Sequence, residues 1–127
     1  MNINMCGCHE GKAWGSTNQI FSNNSTAVHR ITGKLGGICS THKHTTKFSM
    51  FFVEKGIVKI SIEKNDYALT DVTTLAAGQS TIIKPGEFHW FEIMEEGAVC
   101  YEIYWVGDLD QNDIIRKSCG SAPTILK

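Results

Sequence analysis

Three histidines are the residues of this chain best placed to do chemistry. His42 and His44 lie one residue apart in the stretch GGICSTHKHTTKFSMFFVEKG, residues 36–56. Successive side chains of an extended segment point to opposite faces, so a His-x-His pair sends both imidazoles to one side, roughly 6–7 Å apart. Neutral imidazoles so placed can chelate a metal ion. The pair alone is more often a solvated strand edge, and a metal site needs a further partner. His89, three residues after the turn signal Lys84-Pro85-Gly86, supplies a third imidazole. A second cluster, Cys6, Cys8 and His9, offers soft ligands, but a structural zinc site takes four and no second cysteine pair lies nearby. A terminal arm, with Trp14 docked on the domain or lent to a neighbouring subunit, accounts for that cluster as well.

The segments around the histidines read as strands. Phe48 to Val53 is apolar and β-prone and ends at Glu54-Lys55-Gly56, where glycine permits the positive φ that a tight turn needs. In residues 57–63 Val58, Ile60 and Ile62 alternate with Lys59, Ser61 and Glu63, the pattern of a half-buried strand. The two segments are expected to pair as a hairpin, with Lys64-Asn65-Asp66 as the following turn. Residues 26–32 are strand-like, with His29 and Arg30 on opposite faces, so that only one of them looks toward a pocket, and the charged Arg30 is the one expected in solvent. Residues 79–83 form a short strand, and Val99 to Val106 is apolar on both faces apart from Glu102. Six to eight short strands at intervals of about 8–12 residues, without a helical period, predict an all-β sandwich or barrel.

Composition narrows the classes. At 127 residues and 42% hydrophobic, the chain is one domain able to bury a core without staples. The domain is expected to run over residues 1–127, with an N-terminal arm at 1–25, a barrel core at about 26–106 and a C-terminal tail at 107–127. A net charge of −1 without a basic stripe argues against nucleic acid as a partner. No stretch approaches the ~20 apolar residues of a membrane span, and no signal peptide is evident, which points to a soluble, cytoplasmic protein. Five cysteines, an odd number, fit reduced thiols better than a disulfide framework.

The spacing of these residues resembles the two motifs of the cupins. The first runs Gly, five residues, His-x-His, three or four residues, Glu, six residues, Gly; Gly36, His42, His44, Ser49 and Gly56 fall at those places, with serine where the glutamate stands. The second runs Gly, five residues, Pro-x-Gly, two residues, His, three residues, Asn; Gly78, Gly86 and His89 keep the spacing, Pro85 sits one place late and Ile93 replaces the asparagine. The resemblance spans roughly residues 26–106. It implies a double-stranded β-helix, or jelly-roll barrel, and three histidines, His42, His44 and His89, converging at one mouth on iron, manganese, zinc, nickel or copper.

Ser49 in place of the glutamate leaves the carboxylate in question. Three imidazoles alone would leave a divalent ion its full charge and open positions for a chelating or anionic substrate. Alternatively a carboxylate arrives from elsewhere. Glu102 is the candidate, because a lone acid in an apolar strand is costly to bury unless it is paired or holds a metal; the same residue could simply face water or another subunit. Tyr104 shares its face and is a candidate to join it as a further ligand or a supporting group. Cys39 and Cys100 are near the site or are small core hydrophobes, and Lys47 or Lys84 could steer an anion. The resemblance thus implies a metal-binding protein acting on a small molecule in dioxygenase, isomerase or lyase fashion. A non-catalytic, sugar-like ligand binder remains open. So does a structural homodimer built on Trp90, Phe91, Tyr104 and Trp105.

Overall fold

The computed structural model describes residues 13–64 and 69–124. The Cys6, Cys8 and His9 cluster and residues 65–66 of the expected turn lie outside them. The described chain forms eight strands: β1 (Gly15–Ser22), β2 (Thr26–Gly33), β3 (Phe48–Lys55), β4 (Ile57–Glu63), β5 (Thr70–Ala76), β6 (Ser80–Ile83), β7 (His89–Ile93) and β8 (Val99–Trp105). They build two sheets, in the orders β1-β2-β8-β3-β6 and β5-β4-β7, and every pairing is antiparallel. This is the all-β barrel architecture that the spacing predicts. No helix among the described residues is long and apolar enough to cross a membrane.

Alternation sets the inner faces. Phe51 and Val53 of β3, Val58 and Ile60 of β4, Phe91 and Ile93 of β7, and Cys100 of β8 are all buried between the sheets, joined by Ile31, Leu75 and Ile83. Trp14 docks edge-on against Phe91, with ring centroids 4.9 Å apart, and closes one side of this core. Residues 15–22, expected in the N-terminal arm, are β1, the edge strand beside β2.

The expected hairpin of residues 48–53 with 57–63 does not form. β3 pairs with β6 and β8, whereas β4 pairs with β5 and β7 in the other sheet. A single residue separates the two strands, and a hairpin needs at least two. Gly56, at φ +83°, instead turns the chain through a corner from one sheet to the other. A side chain there would also come within 2.9 Å of the Ala98 backbone, so the corner is closed to other residues on two counts. The consequence is that β3 and β4 lie in different sheets.

Sheet register fixes what each strand offers at the end of the barrel where β2, β3 and β7 begin and β4 and β8 finish. Across the five-stranded sheet, Ser49 stands between Tyr104 and Ile83, and Glu102 stands between His29 and Phe51. In the three-stranded sheet Ile62 pairs with His89.

Candidate metal centre

The segment that carries the histidine pair is bolted alongside β7. His42 donates its amide to the His89 carbonyl at 3.1 Å, and His89 donates to the His42 carbonyl at 2.8 Å, a reciprocal antiparallel bridge. A second bridge, Ile38 with Glu92, holds the same segment further along, where Cys39 donates to the Phe91 carbonyl and Ile93 donates to that of Gly37. The His44 carbonyl accepts from Gly86 at 2.7 Å. Gly86 adopts φ +86°, so the turn before β7 is shaped by glycine and tied directly to the histidine pair. Backbone bonds thus hold all three histidines in place before any metal is considered.

The rings converge. Centroid distances are 4.4 Å for His42 to His89, 5.3 Å for His42 to His44 and 5.5 Å for His44 to His89. Nδ1 of His42 lies 2.8 Å from the Ser40 carbonyl, and Nδ1 of His89 lies 3.0 Å from that of Glu87. A carbonyl only accepts, so each Nδ1 carries the proton and each Nε2 presents a lone pair, the arrangement that orients an imidazole toward a metal. His42, His44, His89 and Glu102 each offer one ligand atom, all within 4.8 Å of one another. Nε2 of His44, Nε2 of His89 and Oγ of Ser49 are buried without a hydrogen-bond partner among the described residues. Each such atom costs about 1–3 kcal/mol unless something fills its valence, and a metal ion is one group that would fill several at once.

The electrostatics keep the donors in metal-binding form. Desolvation, reinforced by the neighbouring His42, Lys47 and His89, lowers the His44 pKa to about 4. Burial also moves His89 below the ordinary histidine value, against the opposing Glu87 carbonyl bond. Both imidazoles are therefore neutral at pH 7. Burial, then the Glu102 charge and a hydrogen bond to Glu102, raise the Tyr104 hydroxyl far above its usual range, so it stays protonated and donates to that carboxylate. Cys100, one inward position below Glu102, is pushed up to about 12 by burial and by the same carboxylate, and remains a thiol.

Ser49 is fully buried at the glutamate's place in the first motif, and Glu102 reaches the cluster from β8, the adjacent strand. The carboxylate is thus supplied one strand over. Glu92 lies on the outer face in an ion pair with Lys59, at 3.2 Å. Lys84 is exposed, and its backbone amide donates to Glu87. The Lys47 ammonium sits 4.5 Å from the centre of the Tyr104 ring, which is itself 5.0 Å from that of His44. Cys39 accepts the Phe91 amide on its sulfur at 3.2 Å. The aromatic patch expected of Trp90, Phe91, Tyr104 and Trp105 is divided. Phe91 is core, Tyr104 lines the mouth, and Trp105 stacks on Phe48 at 5.6 Å on the outside.

His29 joins the mouth, the direction implied by the expectation that Arg30 sits in solvent. It pairs with Glu102 in register, and its ring meets that of Tyr104 edge-on at 5.6 Å. All four histidines of the described residues stand at this one end.

No protein-family model matches the sequence, and no curated protein matches it. Solved structures do match in fold. KdgF from a Halomonas species superposes with a TM-score of 0.67 at 10% identity, over 79% of this chain and 87% of that one. The cupin domain of Cnp3 from Schizosaccharomyces pombe gives 0.62 at 14% identity, over 72% of this chain and 64% of that one. A variant of the oxalate decarboxylase of Bacillus subtilis gives 0.67 at 17% identity, over 81% of this chain. The match spans only 28% of that enzyme's length. The fold of this chain is the cupin barrel, as the motif spacing predicts.

Proposed function

We propose that the protein binds one divalent metal ion through His42, His44, His89 and Glu102 and uses it on a small-molecule substrate at the barrel mouth. The observation that carries this reading is the cluster of four converging donors, in which the buried Nε2 atoms of His44 and His89 have no hydrogen-bond partner among the described residues. Three imidazoles and a carboxylate suit iron, manganese, zinc, nickel or copper, and availability selects among them. Such a centre supplies Lewis acidity to a coordinated substrate oxygen, or oxygen activation where the metal is iron. The chain's own residues do the rest. The Ser40 and Glu87 carbonyls fix the tautomers of His42 and His89, Tyr104 donates a hydrogen bond to Glu102 and holds it in place, and the apolar floor lies beneath. An oxygenase, isomerase or lyase reaction fits this arrangement.

The test is metal uptake by protein purified without chelator or added metal. One equivalent is expected in the parent and far less in His42→Ala and His89→Ala, at unchanged circular dichroism. A folded parent that takes up no metal but binds a small polyol would replace this reading with that of a non-catalytic binder.

We also infer a homodimer through the outer face of the five-stranded sheet. Phe21, Val28, Ile103, Met50 and Ile82 run straight across its five strands in register, an apolar row beside stacked Phe48 and Trp105. Light scattering should give twice the chain mass for the parent and the single mass for Ile103→Lys.

A further inference from the structure

Ser49 is fully buried at the mouth, yet it is neither one of the four converging donors nor part of the apolar floor. In register on β3 it lies between Tyr104 of β8 and Ile83 of β6, and the next inward residue of its own strand is Phe51. Ile83 and Phe51 are apolar, and the Tyr104 hydroxyl is engaged with Glu102. Oγ of Ser49 has no hydrogen-bond partner among the described residues. A hydroxyl brings an O–H and two lone pairs, and an alanine at this place would avoid the cost of burying them.

The inward neighbours of Ser49 place it against the histidine cluster. The ring of Tyr104, its partner across the strands, is 5.0 Å from that of His44. The ring of Phe51, next along its own strand, is 6.3 Å from that of His89. Ser49 stands between these two contacts, on the same inner face as Glu102 of the adjacent strand. Its hydroxyl therefore borders the space in which the four donors meet.

The chemistry of that space says what a hydroxyl can do there. Three imidazoles and a carboxylate leave an octahedral ion such as manganese with positions for solvent. Water on a divalent ion is a stronger hydrogen-bond donor than bulk water, because the ion draws charge from its oxygen. A serine hydroxyl accepts that hydrogen bond while staying neutral, whereas a carboxylate in the same place would take the ion itself. We propose that Ser49 is a positioning residue whose Oγ accepts a hydrogen bond from a water molecule on the ion. The assignment rests on the metal site proposed above. Ser49 thereby sets how firmly one coordination position is held against an incoming ligand oxygen.

The experiment uses the full-length chain loaded with Mn(II) in water enriched in the magnetic isotope of oxygen. Pulsed electron resonance counts the waters on the ion, and oxygen relaxation gives the rate at which they exchange with solvent. The parent should hold water on the ion. Ser49→Ala should speed the slowest exchange roughly fivefold, the worth of one hydrogen bond, and Ser49→Thr, which keeps the hydroxyl, should stay within about twofold of the parent. Ser49→Glu, which extends a carboxylate into the same space, should lower the water count. A parent ion without water, or an exchange rate that Ser49→Ala leaves unchanged, overturns the role of Ser49 while leaving the metal site standing. No Mn(II) uptake by the parent overturns both.

Discussion

The two ends of the barrel interior are built by the same strands and the same inward faces, yet they are chemically opposite. Reading from the mouth, β3 presents Ser49, Phe51 and Val53; β7 presents His89, Phe91 and Ile93; β8 presents Tyr104, Glu102 and Cys100. One or two inward steps along each strand take the lining from ligand-bearing to dry. Both ends are buried, but for different reasons. The floor is buried because burial stabilises it, and the mouth is buried although its polar atoms are costly there. That contrast separates stability from function along single strands, and it can be broken residue by residue.

At the floor, Phe51→Ala removes a fully buried ring and should cost about 3–5 kcal/mol in urea unfolding. Metal stoichiometry of the folded fraction should be unchanged. A loss of metal without loss of stability would mean that floor and mouth are not separable in this way.

At the mouth, Glu102→Gln should weaken metal binding by at least the roughly 10–100-fold that changes around a ligand shell produce. It should also lower the Cys100 pKa from about 12, because the buried carboxylate is one of the causes that raise it. Thiol titration under native conditions reads this second effect. An unmoved thiol with unmoved metal affinity would place the Glu102 charge outside the site.

The smallest effect is on pH dependence in the metal-free protein. His44 and His89 have folded pKa values below the unfolded value of about 6.5, so the unfolded state binds protons first. Stability is therefore greatest above about pH 6.5 and falls as pH drops below it, the His44 share declining down to about pH 4. Chemical denaturation across that window should show stability declining with acid, and less steeply in His44→Ala. A flat profile would mean that the imidazoles are already hydrated in the folded protein.

How much of this could be read from the sequence depends on how local its cause is. The His-x-His pair, the Pro-Gly turn before His89 and the glycine spacing are local, and they predict the barrel and the residues at its mouth. The corner at Gly56 was misread as a hairpin because the alternation of residues 57–63 is the same whether the strand pairs with β3 or crosses to the other sheet. β5 gave little strand signal because it is a sheet edge with only Leu75 buried. The relocation of the carboxylate from the position of Ser49 to Glu102 was partly legible, since a lone acid in an apolar strand calls for a partner. That it meets the three histidines follows only from the pairing of β8 with β3, which is a tertiary fact.

The measurement closest to the central claim is X-ray absorption at the metal edge of zinc-loaded protein. The account predicts three imidazole nitrogens and carboxylate oxygen at about 2.0–2.2 Å, without sulfur, and one fewer imidazole in His89→Ala. A sulfur shell from Cys39 or Cys100, or a parent spectrum lacking the three imidazoles, would contradict it.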